Sequence, residues 1–151
     1  MGRKHLANAF AAMNGLFLED LKPGMTAMFG KTVTEADIAG FAGVSGDTNP
    51  IHLHDGFARS TRFGQRIAHG MLSGSFISTV VGTKLPGPGC IYVSQLLKFK
   101  APVRIGDTVT ARVEVTALTP EKKFATFKTT CSVAGKIVMD GEATLMVPSK
   151  G

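Results

Sequence analysis

A chain of 151 residues is long enough for one ordinary domain with a single buried core and too short for two. Hydrophobic residues make up 44% and charged residues 19%, which excludes an intrinsically disordered chain, and a mean hydropathy of +0.16 hints at an oligomer interface. The net charge of +6 and a pI near 9.6 raise nucleic acid as a partner, but the lysines and arginines are scattered, and with no Trp and one Tyr the chain lacks stacking surfaces for bases.

The basic surplus is therefore assigned to solubility or to a small phosphorylated ligand, and no nucleic acid is expected. The opening MGRKHLANAFAAMNGLFL holds no acid and begins basic, like a weak targeting segment, yet Asn8, Asn14 and Gly15 interrupt any apolar run. Residues 1–20 read as an N-terminal extension of a cytoplasmic protein, followed by one domain over residues 21–151. No apolar run approaches the roughly 20 residues that span a bilayer, so no membrane is expected. Cys90 and Cys131 lie far apart without CxxC spacing and read as buried free thiols.

Lys22-Pro23-Gly24-Met25 marks a turn before a short strand near residues 26–33. Thr34 reads as an N-cap with Asp37 three residues on, opening a helix through Ile38, Phe41 and Ala42 that ends near Gly46. Pro50 disfavours helical geometry at Asn49, so residues 47–51 are expected to form an ordered loop. A short helix over residues 55–61 follows, with Asp55 as its N-cap. From His69 to about Gly82 runs HGMLSGSFISTVVG, in which Leu72, Phe76 and Val80 recur at four-residue spacing, as do Ser73, Ile77 and Val81. Apolar groups almost all round and no charges predict a buried helix.

The second half alternates. Ile91, Val93, Leu97, Phe99 and Val103 fall on one side, with Ser94, Lys98 and Lys100 opposite. Val109, Ala111, Val113 and Val115 repeat the pattern, then Ala125, Phe127, Thr129, Cys131 and Val133, then Ile137, Met139, Ala143, Leu145 and Val147. One packed face and one wet face mean an antiparallel sheet. An apolar helix beside such a sheet predicts an α+β fold in which a curved antiparallel sheet wraps a central buried helix, the hot-dog architecture. Its exposed edge predicts pairing between two copies as a homodimer.

Residues 46–54, GDTNPIHLH, carry the chemistry. On a strand, His52 and His54 would share a face as metal ligands. No Glu supplies a third ligand and no histidine follows His69, so no metal is expected. Taken alone, Asp47 and Asn49 would be an Asx turn. As an acid–base pair, Asp47 and His52 flank the rigid Asn49-Pro50 turn and converge on one water, with Asn49 orienting the loop. The Gly70 backbone N–H opens the buried helix, where unsatisfied N–H groups and the positive dipole end favour an anionic oxygen. Together these groups fit addition of water across a double bond conjugated to a thioester, with no metal or organic cofactor. His69 reads as a helix cap or core residue and His54 as loop surface. Ser73 and Ser75 read as small packing residues, since no nucleophile elbow accompanies them. Lys98, Lys100 and Arg104 are placed on a solvated strand face rather than against phosphates.

The pattern D-x-N-P-x-H (Asp47, Asn49, Pro50, His52), then H-G-M (His69, Gly70, Met71), then PGPGCIYVSQLLKFKAPVRIGD, resembles the MaoC-like dehydratases, specifically the (R)-specific enoyl-CoA hydratases, over residues 22–147. The resemblance implies a hot-dog dimer with Asp47 and His52 as catalytic pair, Gly70 as oxyanion donor and Asn49 and Ser78 in support. It also implies conversion of trans-2-enoyl-CoA to (R)-3-hydroxyacyl-CoA. Met71 and Leu72 are where side chains are expected to line the acyl tunnel. The carrier, coenzyme A or acyl carrier protein, stays open. A hot-dog acyl-CoA thioesterase and a non-catalytic acyl-thioester-binding module are the alternatives.

Overall fold

The C-terminal alternation becomes a sheet because each run pairs with its neighbour in register. The structure is a computed structural model that describes residues 10–151, so what was expected of residues 1–9 lies outside the described residues. In chain order come β1 (Thr26–Thr32), α1 (Glu35–Ser45), α2 (Pro50–Leu53), α3 (Asp55–Arg59), α4 (Gly70–Thr83), β2 (Ile91–Phe99), β3 (Thr108–Thr119), β4 (Phe124–Val133) and β5 (Lys136–Met146). The strands form one antiparallel sheet in the order β1-β3-β4-β5-β2. Among the described residues no helix is long and apolar enough to cross a membrane.

The helix α4 packs on β3, β1 and β4. Its Leu72, Phe76, Ile77, Val80 and Val81 meet Val109, Ala111, Val113, Val115, Phe127 and Cys131 in one core, and the Phe76 ring meets Phe29 edge-on at 6.0 Å between centroids. The sheet packs on the central helix as expected. Met71, Ser75 and Ser78 form an exposed flank of the helix, while Leu97 and Phe99 of β2 close on its Gly74 and Gly70.

Two expectations about strand faces are corrected by bulges and edges. Ile91, Val93 and Phe99 of β2 do not share a dry face. They stay exposed, Val93 sits in a register shift between Tyr92 and Ser94, and only one edge of the strand is paired. Ile137 is also exposed, because a shift between Cys131 and Ser132 makes Val138 an extra residue and inverts the alternation before Met139. β3 and β4 keep the expected pattern, with Val109, Ala111, Val113, Val115, Ala125, Phe127, Thr129 and Cys131 buried.

Residues 15–21 pack against the rest of the chain. Gly15 N donates to the Pro88 carbonyl at 2.9 Å, Leu16 N to Pro86 at 2.8 Å and Leu18 N to Pro148 at 2.8 Å, while Leu18 and Leu21 sit in the core. At the other end of β1, Thr34 forms the expected capping box: Asp37 N donates to Thr34 Oγ1 at 3.1 Å and Thr34 N to Asp37 Oδ2 at 2.9 Å.

Gly141 in β5 lies between Thr129 and Leu97, and a Cβ there would run into the Leu96 carbonyl. Gly30 in β1 has open space in the same direction. Gly141→Ala is expected to lower stability by more than about 2 kcal/mol, while Gly30→Ala leaves it nearly unchanged. Urea unfolding of both variants checks this, and similar midpoints would remove the proposed backbone contact.

Candidate active site

The site is built where α1 stops. Gly46 takes a left-handed conformation at φ 80° and closes the helix by donating to the Ala42 carbonyl at 2.9 Å. Two local turns follow: Asn49 N donates to Asp47 Oδ1 and Ile51 N donates to Asn49 Oδ1, each at 3.1 Å. Asp47 and Asn49 therefore do form an Asx-type turn. That does not remove Asp47 from chemistry, because the turn uses Oδ1, and Oδ2 has no hydrogen-bond partner among the described residues.

The loop is shorter than expected. Asn49 is extended at ψ 126°, as a residue before proline must be, but Pro50 occupies the first position of α2 rather than continuing a loop. This single turn carries His52 inward to 7% exposure. His54 ends α2 and caps α3 in place of Asp55, its Nδ1 accepting from Phe57 N at 3.0 Å. The two histidines that a strand would have aligned thus serve different purposes.

Backbone carbonyls fix both buried imidazoles. A carbonyl only accepts, so the 2.7 Å contact between His52 Nδ1 and the Ile67 carbonyl places the proton on Nδ1 and leaves Nε2 free. By the same reasoning His69 Nε2 donates to the Asp47 carbonyl at 2.9 Å, and its buried Nδ1 has no partner among the described residues. The rings stack with centroids 3.8 Å apart and planes 27° from parallel, and Phe41 flanks His69 at 4.8 Å. His69 is therefore a core residue, and it anchors the Asp47 loop through its main chain.

Asp47, His52 and His69 each offer a ligand atom within 4.8 Å of the others, so these are the residues that could hold a divalent metal. The two rings stack nearly parallel, and rings so placed aim poorly at a common ion. The arrangement suits proton transfer better. A water between Asp47 Oδ2 and His52 Nε2 would meet two groups able to take and return a proton.

Gly70 opens α4, is exposed, and its N–H has no acceptor among the described residues. It lines a cavity of about 290 Å³ with His69, Ser73, Phe99, Arg62 and Lys100. Met71, the next residue, lines a second and more open cavity of about 360 Å³ with Phe41, Ser78, Tyr92 and Leu97. The start of α4 separates the two. Leu72, expected beside an acyl chain, points into the core at 7% exposure and lines neither cavity. Ser78 lies eight residues along the helix, about 12 Å by helical rise, and makes no hydrogen bond to Asp47 within the chain. Lys100 reaches the first cavity instead of a featureless wet face, whereas Arg104 Nη2 is spent on the Phe63 carbonyl at 3.0 Å. Arg62, Phe99 and Tyr92 carried no local sequence signal. Burial raises the Cys131 thiol to about 12 and also raises that of half-buried Cys90, so neither is a ready nucleophile.

Residues 19–138 match the family described as MaoC like domain. The chain is 64% identical to an (R)-specific enoyl-CoA hydratase of Rhodospirillum rubrum, over 89% of this chain and 94% of that protein. It is 52% identical to a 3-hydroxybutyryl-CoA dehydratase of Methylorubrum extorquens, over 89% of this chain and 86% of that one. Among solved structures, the unliganded R-hydratase PhaJ1 of Pseudomonas aeruginosa superposes with a TM-score of 0.85 at 43% identity, covering 90% of this chain and 88% of that chain.

The Phe99 ring lies so close to Gly70 that a Cβ at residue 70 would stand 2.6 Å from it. Gly70→Ala is expected to cost about 1–3 kcal/mol of stability, and Phe99→Ala in the same chain to recover part of that loss. Denaturant unfolding of the two single variants and the double variant measures the coupling, and strictly additive losses would show that the ring does not set the limit.

Proposed function

Because the chain belongs to the MaoC like domain family, we propose that it works as an (R)-specific enoyl-CoA hydratase, adding water reversibly to trans-2-enoyl-CoA to give (R)-3-hydroxyacyl-CoA. The observation that carries the reading is the convergence of Asp47 and the uncommitted Nε2 of His52, with the unengaged amide of Gly70 beginning the neighbouring helix. Asp47 and His52 hold the water and take one of its protons as its oxygen bonds to the β carbon. The double-bond electrons move toward the carbonyl, and Gly70 N–H stabilises the charge gathering on the thioester oxygen. The proton removed from water then returns to the α carbon, so atoms and charge balance without a metal or organic cofactor. Dehydration is the same path reversed. Asn49 supports the pair by holding the turn that presents Asp47.

Arg62 and Lys100 beside the Gly70 cavity fit the phosphates of a coenzyme A carrier, and the more apolar cavity at Met71 fits the acyl chain. A second copy of this chain is the partner proposed for the exposed edge of β2, where Ile91, Val93, Leu96 and Phe99 are uncovered, together with the open flank of α4. Two unpaired cysteines agree with a reducing, cytoplasmic compartment.

Purified protein is expected to consume the ultraviolet absorbance of a conjugated enoyl-CoA, and Asp47→Asn or His52→Gln to lower kcat by about 10²–10⁴ while circular dichroism stays unchanged. Full turnover in either variant would remove the mechanism, and release of free thiol from saturated acyl-CoA would replace it with a thioesterase. In light scattering the protein is expected at twice its 15.9 kDa chain mass, and Leu96→Asp to shift it toward one chain. A wild-type monomer at micromolar concentration would refute the dimer.

A further inference from the structure

Arg66 takes no part in the scheme above, yet its side chain holds three elements at once. Nη1 and Nη2 donate to Glu35 Oε1 and Oε2 at 2.7 and 2.8 Å, and Nε donates to Asp55 Oδ1 at 2.7 Å. Nη1 also reaches the main-chain carbonyl of His52 at 3.4 Å. Glu35 is the first residue of α1, Asp55 the first of α3, and His52 lies in α2 between them. The next residue, Ile67, donates its N–H to the Ile51 carbonyl at 3.3 Å and gives its own carbonyl to His52 Nδ1 at 2.7 Å. Two consecutive residues thus bracket His52 from its main chain and from its ring.

We propose that Arg66 is a positioning residue for His52: by clamping α1, α2 and α3 to residues 66–67 it fixes the aim of the imidazole and holds it in the Nδ1–H form, with Nε2 turned to the water. The inference rests on the hydratase reading for its consequence in turnover, but the hold on the ring is a property of the protein itself. Glu35 and Asp55 are 64% and 69% exposed at their side chains, whereas that of Arg66 is 14% exposed. Carboxylates so open to water contribute little to folding through ion pairs alone. Their value lies in direction. A planar guanidinium that satisfies one carboxylate with two parallel bonds and a second with Nε has little freedom left, and neither does the backbone that carries it. The bonds to Glu35, then Asp55, raise the Arg66 pKa, and the bond from Arg66 lowers that of Glu35, so the Arg66–Glu35 fork is charged at neutral pH.

The test compares Arg66→Met, which keeps the apolar stem, with Arg66→Lys, which keeps the charge but loses the fork. Glu35→Gln/Asp55→Asn leaves Arg66 in place and removes its anchors, and Lys31→Met breaks the Lys31–Asp37 pair at the same end of α1, 3.0 Å long, without touching the clamp. Steady-state hydration of an enoyl-CoA is expected to show kcat lower by about 10–100-fold in Arg66→Met with KM changed less than about threefold, since displacement by about 1 Å costs rates of that order. Arg66→Lys is expected to recover part of the loss, Glu35→Gln/Asp55→Asn to reproduce part of it, and Lys31→Met to match wild type. Nitrogen-15 NMR of the imidazoles is expected to report a single Nδ1–H tautomer for His52 in wild type and a mixture in Arg66→Met. If wild type hydrates and Arg66→Met keeps both its kcat and the single tautomer, the inference is overturned, even where melting temperature falls. Should Arg66→Met not fold, the same two readouts on Glu35→Gln/Asp55→Asn decide it. A wild type that hydrates nothing would sink the hydratase reading, while the tautomer would still judge the hold of Arg66.

Discussion

A 14-residue helix without a single charged side chain has nowhere to go in water, and the burial of α4 is the constraint on which the remaining structure depends. Leu72, Phe76, Ile77, Val80 and Val81 each contribute about 1.5–3 kcal/mol when removed from solvent, and the concave face of β3, β1 and β4 is the surface that removes them. Seating the helix there fixes where its N-terminus emerges. His69 is brought beside the turn that follows α1, so the residue that precedes the unengaged amide of Gly70 meets the main chain of Asp47 through packing, with no sequence proximity needed. The geometry of the candidate site is inherited from the way the core closes.

Electrostatics refine what packing delivers. Each buried imidazole surrenders one nitrogen to a main-chain carbonyl, and because a carbonyl only accepts, the tautomers are opposite: proton on Nδ1 in His52, on Nε2 in His69. His69 thereby ties the Asp47 main chain to the core, while His52 keeps an open nitrogen. Main-chain acceptors are rigid in a way that side-chain acceptors are not, which suits a ring that must stay aimed through proton transfer. The local Asx turn at Asp47 belongs to the same economy, since one oxygen shapes the loop and the other is left without a partner among the described residues.

How much of this was legible in the sequence follows from the range of the interactions. The capping box of Thr34 and Asp37, the alternation of β3 and β4 and the helical stripe of α4 depend on residues a few positions apart, and they appear as read. Ile137 departs from the expected face because the bulge at Val138 is set by pairing with β4, and β2 because it is an edge strand with a register shift between Tyr92 and Ser94. Pro50 was read for what it forbids at Asn49, correctly, but not for the helix turn it favours at its own position. Met71 and Leu72 are both expected along the acyl tunnel and only Met71 borders a cavity, for a similar reason: one-dimensional spacing shows that adjacent helix residues face different ways, not which of them meets a cavity. The ring of Phe99 on Gly70, Arg62 at the first cavity and the reach of Arg66 to Glu35, 31 positions away, leave no periodic trace. The D-x-N-P-x-H and H-G-M patterns mark the proposed centre because their residues are local on each side of the gap that the core then closes.

The division made by the first turn of α4, with Gly70 bordering one hollow and Met71 the other, has an evolutionary consequence. Under the proposed reading, taste for longer or shorter acyl tails can drift through Tyr92 and Leu97, whereas Phe41 is held by its packing on His69. Separate walls let selection retune diet and leave the machinery of hydration intact, so a lineage can diversify its substrates without first passing through inactive ancestors.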